Sequence, residues 1–247
     1  MPFFRRVINI MVHGDTDSGE VRAALEDDYH HFRVRLNLHN QRITEAHAEA
    51  LRTPYTLCKD SVAEITKICQ TPILQTAHDI TRATDARLQC THQLDLAGLA
   101  LATAARGLKS QHYAAEVPRH KLGFTQPRLW RNGTEILHWD VQDNIIKSPA
   151  PFCERPLGQG MSSWAIANLD SETAEAAMVL RRCTLISLGR LRNLDLETHA
   201  HDWGRCYVQQ PERAFDAKRV IGSTLDFSER ETDLCATDQE WLHQSTI

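Results

Sequence analysis

The sequence predicts an α+β fold, antiparallel hairpin and meander sheets packed against a few helices, from three features. The run YHHFRVRLNL alternates with period 2 and returns through His39-Asn40-Gln41 into a second strand near 42–48. In PRLWRNGTEILHWDVQDNIIKS, Asn132-Gly133 is a type I′ hairpin signal and Asp143-Asn144 a second turn, giving three strands. The stretch 94–106 is apolar on nearly every side and stops at Gly107, the pattern of a central buried helix. Hairpins grouped with helices, rather than alternating with them, argue against a doubly wound parallel sheet.

The remaining elements follow in order. Residues 3–12 are apolar enough for a strand or packed arm, although they alternate poorly. Asp15 to Gly19 is turn chemistry, and 20–28 reads as a short helix or loop. Asp60 or Ser61 caps a helix that ends near Cys69 at Thr71-Pro72. The stretch 73–88 has mixed periodicity and is read mostly as helix. Pro149 and Pro151 close the sheet section, and a looser stretch around Gly158, Gly160 and Trp164 follows. Asp170 caps a long helix to about Arg190 whose first turn carries Glu172 and Glu175. Beyond Leu191 the chain has a short strand near 206–209 and a polar, frayed C-terminus.

With 247 residues the chain can bury a real core. One domain over 1–247 is expected, divisible at 116/117 into a hairpin-and-helix part and a meander-and-long-helix part. Basic and acidic residues are interspersed and the net charge is −4, which gives no basic face for nucleic acid. Seven cysteines, never spaced Cys-x-x-Cys, do not make a disulfide scaffold and suit a reducing cytoplasm. The apolar run after Arg5-Arg6 is broken by Asn9 and His13, too short for a signal peptide or a membrane span. The expectation is a cytoplasmic protein that acts on a small molecule, as a homo-oligomer or beside a larger enzyme partner, with no nucleic acid and no membrane.

Chemistry concentrates between residues 51 and 106. Cys58 precedes one expected helix; Cys90 and His92 precede another. A helix start offers unpaired N–H groups and positive partial charge, which favours thiolate over thiol. Two thiolates and an imidazole with an open fourth position suit zinc or iron, so Cys58, Cys90 and His92 are the candidate metal ligands. A metal-free alternative makes Cys58 or Cys90 a nucleophile toward a thioester, with His92 as base and Asp95 orienting it.

His30 falls on the apolar face with Phe32, Val34 and Leu36, as a ligand, a general base or a core histidine satisfied by backbone; His31 falls on the solvated face. His199-Ala200-His201 is a further candidate metal pair. One of Arg181 and Arg182 reaches a carboxylate or lies on a solvated face, and Cys69 and Cys183 read as packing. Trp130, Trp139 and Trp164 with Phe124 and Phe152 fill a core or wall an apolar pocket. Gly158-Gln159-Gly160 lacks the context of a phosphate loop, and no dinucleotide fingerprint, nucleophile elbow or His-Glu-x-x-His occurs.

The tract YHHFRVRL, then Pro54-Tyr55-Thr56-Leu57-Cys58, then Cys90-Thr91-His92 resembles an uncharacterised bacterial family known as domain of unknown function 2889, best over 28–106. Lys59-Asp60 and Gln89 depart from the Pro-Gly and Gly that members carry at those positions. The resemblance implies a site at Cys58, Cys90 and His92, and it implies no activity. The function expected is a metal-dependent hydrolase or lyase acting on a small acyl or aromatic molecule, with His30 and Asp95 moving protons. Alternatives are a non-catalytic accessory subunit or metal or cluster carrier, and the Cys-His thiol enzyme.

Overall fold

The structure, a computed structural model, describes residues 3–244; Met1, Pro2 and 245–247, at the two ends of the expected N-terminal arm and C-terminal tail, lie outside the described residues. It is α+β, with antiparallel sheets packed with several helices. Strands β1 (Phe3–Gly14), β2 (Ser18–Asp27), β3 (His31–His39) and β4 (Arg42–Arg52) form a meander. A succession of 3₁₀ turns over Thr56–Ile68, Ala77–Arg82 and Ala86–Leu88 leads to α1 (Thr91–Ala105) and then β5 (Ser110–Pro118). Next come β6 (Phe124–Thr125), β7 (Arg128–Arg131), β8 (Thr134–His138), β9 (Asp140–Gln142), β10 (Ile145–Ser148) and β11 (Arg155–Pro156). Helices α2 (Met161–Asn168) and α3 (Ser171–Ser187) complete the frame.

The large sheet runs β4-β3-β2-β1-β5-β7-β8, and β11-β10-β9-β6 form a smaller one. The change of sheet falls at Trp139, fully buried between β8 and β9, so the expected three-strand meander is four strands in two sheets. The predicted turns hold in detail. Asn132-Gly133 and Asp143-Asn144 take positive φ at both positions, as a type I′ turn requires, and Asn40-Gln41 does the same between β3 and β4. The expected boundary at 116/117 cuts β5, which pairs with β1 on one side and β7 on the other.

The expected helix or loop over 20–28 is instead β2, buried almost throughout. EVRAALEDD lacks clean apolar alternation because both faces of the strand are covered. Val21, Ala23 and Leu25 enter the main core, while Ala24 joins Val7, Phe227, Leu234 and Leu242 on the other face. The C-terminal segment expected to fray lies over that second face, and Arg22 donates to the Trp241 carbonyl at 2.6 Å. The same double covering explains why β1 alternates poorly. β5, a strand beyond those expected, buries Gln111, Tyr113, Ala115 and Val117 on alternate positions.

Helix α1 starts three residues earlier than expected, with Cys90 at its N-cap, and is buried along almost its whole length. Gly107, at φ 69°, ends it, with Gly107 N–H donating to Ala104 O at 2.9 Å and Leu108 N–H to Thr103 O at 3.2 Å. The expected helix near 60–69 is the 3₁₀ run, and Cys58 lies inside it rather than ahead of it. Around Trp164 the loose stretch is helix α2, and near 206–209 the expected strand is a 3₁₀ turn. Asp170 caps α3 as predicted, accepting from Glu172 N–H and Thr173 N–H; the helix ends at Ser187.

Gly98 fixes how closely the 3₁₀ turn at Ala77–Arg82 approaches α1. A Cβ there would lie 2.2 Å from the Ala77 carbonyl oxygen and 2.9 Å from Ile80 Cγ2. Gly98→Ala gains helix propensity but forces these elements apart, a net loss expected at about 1–3 kcal/mol. Urea unfolding of the variant tests this, and an unchanged or higher midpoint would refute the contact.

Candidate functional site

Asp27 ends β2 and its carboxylate organises the link to β3. Oδ1 accepts from Tyr29 N–H at 2.7 Å and His30 N–H at 2.8 Å, and His30 Nδ1 lies 3.1 Å from the same oxygen. Oδ2 accepts from Arg6 Nε at 2.9 Å and from Arg6 Nη2. Burial alone would raise the Asp27 pKa, but Arg6 and His30 overcome it and hold the carboxyl well below the ordinary range.

The His30 ring projects from this corner toward the start of α1, where it stacks on His92 with centroids 4.0 Å apart; Phe32 flanks both. Desolvation lowers the pKa of each imidazole, and His92 is pushed well below normal by burial, His30, Arg6 and Arg182 together. Both rings are therefore neutral near pH 7, the form that binds metal or accepts a proton. Among the described residues the buried His92 Nε2 has no hydrogen-bond partner. A buried imidazole nitrogen without a partner leaves a donor or acceptor unsatisfied, and one ring nitrogen of His92 lies within 4.8 Å of a ligand atom of His30 and of the Asp27 carboxylate.

Two groups of described residues bring three ligand atoms within 4.8 Å of one another: Asp27–His30–His92, and Glu26–His31–Asp238. Cys58 and Cys90 belong to neither group, although Cys58 lies close enough to Cys90 and Cys206 to feel the charge of each. His92 goes with His30, and Cys58 packs with Ala200, Val208, Ala217 and Cys206. Cys206 reaches this place because Tyr207 N–H donates to Gln89 O at 3.0 Å, beside Cys90. In the absence of a metal ion, desolvation opposes the thiolate form expected at the helix starts. Burial drives the Cys58 thiol well above its ordinary value and the Cys90 thiol to about 12, although the Gln93 and His92 N–H groups at the helix start pull Cys90 down.

The second group lies on the opposite face of the sheet, because Glu26 and His31 each precede or follow the Asp27–His30 residues by one position. His31, expected on a solvated face, is buried, with Nε2 2.8 Å from Asp238 and Nδ1 3.5 Å from Glu26. Arg33 also holds Asp238 at 2.5 Å, and Glu26 is bonded by Arg52 at 3.1 Å and by Cys235 N–H at 2.8 Å. Every ring nitrogen and both carboxylates are engaged by protein. This is a clasp for the C-terminal segment.

Asp95, one turn after His92 on α1, forms an ion pair with Arg182 of α3 and makes no hydrogen bond to either imidazole. Arg181 donates to Gly158 O at 3.0 Å. His199 and His201 diverge: the first lies against Phe215 and the Ala200 carbonyl, the second stacks on Trp203 at 4.5 Å. Trp139, Phe152 and Trp164 pack ring to ring as core. Cys183 is buried core and Cys69 packs against it, as expected. Sequence reasoning missed Asp27 and Arg6. Asp27-Asp28-Tyr29-His30 carries the acid-x-x-His spacing that could have found the first; Arg6 has no local signal.

No protein-family model matches the chain, and no curated protein does. Among the described residues no helix is long and apolar enough to cross a membrane.

Stability should report the neutral imidazoles. Below about pH 6.5 the unfolded chain binds protons that folded His30 and His92 refuse, so their contribution is complete above that pH and is lost on acidification. Asp28 opposes this: burial lifts it to about 6 against the pull of Arg190, so it takes up its proton more readily folded than unfolded. In chelator-treated protein, His92→Phe keeps the ring stack and should flatten the fall in melting temperature between about pH 7 and pH 5. A slope identical to the parent would refute the depressed His92 pKa.

Proposed function

We propose that the protein is a metal-dependent hydrolase or lyase acting on a small acyl or aromatic molecule, with zinc or iron held by His30, His92 and Asp27 in place of the cysteine set. The observation that carries this reading is the grouping of His92, whose buried Nε2 has no partner among the described residues, with His30 and the Asp27 carboxylate, ligand atoms of all three lying within 4.8 Å of one another. Two imidazoles and a carboxylate are a recurring donor set for zinc and for non-haem iron. Such an ion would supply Lewis-acid activation of water or of a substrate carbonyl. The protein's own part is to keep both rings deprotonated by desolvation, to fix the His30 ring through Asp27, and to anchor Asp27 with Arg6.

A second reading has its own support. Asp27 already accepts from Arg6, Tyr29 N–H and His30 N–H, which suits a carboxylate that orients His30 rather than one that ligates. His30 then acts as a metal-free general base, with His92 as its proton partner.

Metal content separates the two. After incubation with zinc or ferrous ion and desalting, the parent should retain one equivalent. His30→Ala and His92→Ala should lose it, while Cys58→Ser and Cys90→Ser keep it. No retained metal in the parent, or loss in the cysteine variants alone, refutes the His-Asp centre. Turnover of short acyl esters that survives chelation but is lost in Asp27→Asn would establish the metal-free base.

A further inference from the structure

The turn that joins β2 to β3 carries Asp27 at one end and His30 at the other, and its backbone carbonyls converge on one guanidinium. Arg52, at the end of β4, donates through Nη2 to Asp27 O at 2.5 Å and His30 O at 3.4 Å, and through Nη1 to Asp28 O at 3.0 Å. The same side chain donates to Ser223 O at 3.0 Å and Glu26 Oε1 at 3.1 Å, and its Cζ lies 5.8 Å from the Phe227 ring centroid. Leu225 N–H returns from that segment to Asp28 O at 2.8 Å. Arg190 makes a second bridge, from Asp28 Oδ2 at 2.5 Å to Asp226 Oδ1 at 2.9 Å. The turn is thus held to residues 223–227 through its backbone and through the Asp28 side chain, while Arg6 holds the Asp27 side chain on the core face.

We propose that Arg52 is a positioning residue for the His30–His92 centre: it fixes the backbone from which Asp27 and His30 project, and it couples that backbone to the C-terminal segment. Four carbonyls and a carboxylate from two separate segments are met by one planar fork of donors. A lysine ammonium, with its three donors on a single atom, cannot span them. Asp27 O, Asp28 O and His30 O lie within one four-residue stretch, so a change at Arg52 reaches the residues that bear two of the three grouped side chains. His92 is held separately, on α1. Loss of the fork therefore alters how the His30 ring meets His92. Linkage makes the coupling reciprocal: whatever holds His30 against His92 also holds residues 223–227 to the turn. The inference deepens the metal-centre reading and rests on it for the chemistry, but the ring geometry it concerns belongs to the metal-free chain as well.

The test is the set of nuclear Overhauser cross-peaks between the His30 and His92 ring protons in the metal-free full chain, with the zinc dissociation constant measured on the same samples. In the parent the cross-peaks should be present, as the 4.0 Å stack requires. Arg52→Lys should lose them at a temperature well below its unfolding midpoint, and should bind zinc at least about tenfold more weakly. Arg106→Lys, which removes a comparable fork on Glu175 at the far end of α1, should keep both at parent values. Phe227→Leu retains apolar cover but removes the ring beside Arg52. It should weaken the cross-peaks in the same direction, and it takes the place of Arg52→Lys if that variant does not fold. Parent cross-peaks in Arg52→Lys, or in Phe227→Leu where it stands in, overturn the proposal, as does equal loss in Arg106→Lys. A parent that binds no zinc, with the cross-peaks lost in Arg52→Lys, rejects the metal centre and keeps the positioning role. Zinc bound equally by parent and Arg52→Lys, with cross-peaks unchanged, does the reverse.

Discussion

Asp27 has no exposed surface, and Arg6, directly opposite it on β1, is almost as deep. Two charges withdrawn from water lose several kcal/mol of hydration each, and the arrangement survives only because each meets the other and the remaining lone pairs are filled. Removing one partner from such a pair typically costs about 3–5 kcal/mol. Here the filling groups are the N–H groups of Tyr29 and His30 and the His30 ring, so the ion pair and the turn from β2 into β3 are one structure. The His30 orientation and its stacking on His92 follow from that pair.

The sheet that carries it is buried on both faces. On one side α1 supplies the apolar cover; on the other the segment through Phe227, Leu234 and Leu242 does so. Charged residues of β2 and β3 on that second face are therefore not solvated, and the chain matches them with one another and with Asp238. Adjacent histidines consequently have opposite duties. His30 turns its ring onto His92 while Nδ1 meets Asp27, whereas His31 lies between Asp238, 2.8 Å from Nε2, and Glu26, 3.5 Å from Nδ1.

The cysteines show desolvation outweighing a helix start. A fraction of a unit charge at the N-terminus of α1 cannot offset the loss of hydration of a buried thiolate, so Cys90 remains a thiol. Imidazoles respond to the same burial in the opposite sense, becoming neutral and available. One environment thus silences the sulfurs and prepares the nitrogens.

Alternation in 31–39, the paired positive-φ turns, the apolar helix ending at Gly107 and the Asp170 cap were legible because each depends on residues within a few positions of one another. His30 and His92 could be named for the same reason: strand period places one on the apolar face, and Cys-x-His marks the other. Their pairing with Asp27 and Arg6, and the strand identity of 18–27 and 110–118, were decided by tertiary structure. Those outcomes depend on what covers each face and on how much water each charge loses, and both are set by segments distant in sequence, from Arg6 against Asp27 to Asp238 against His31.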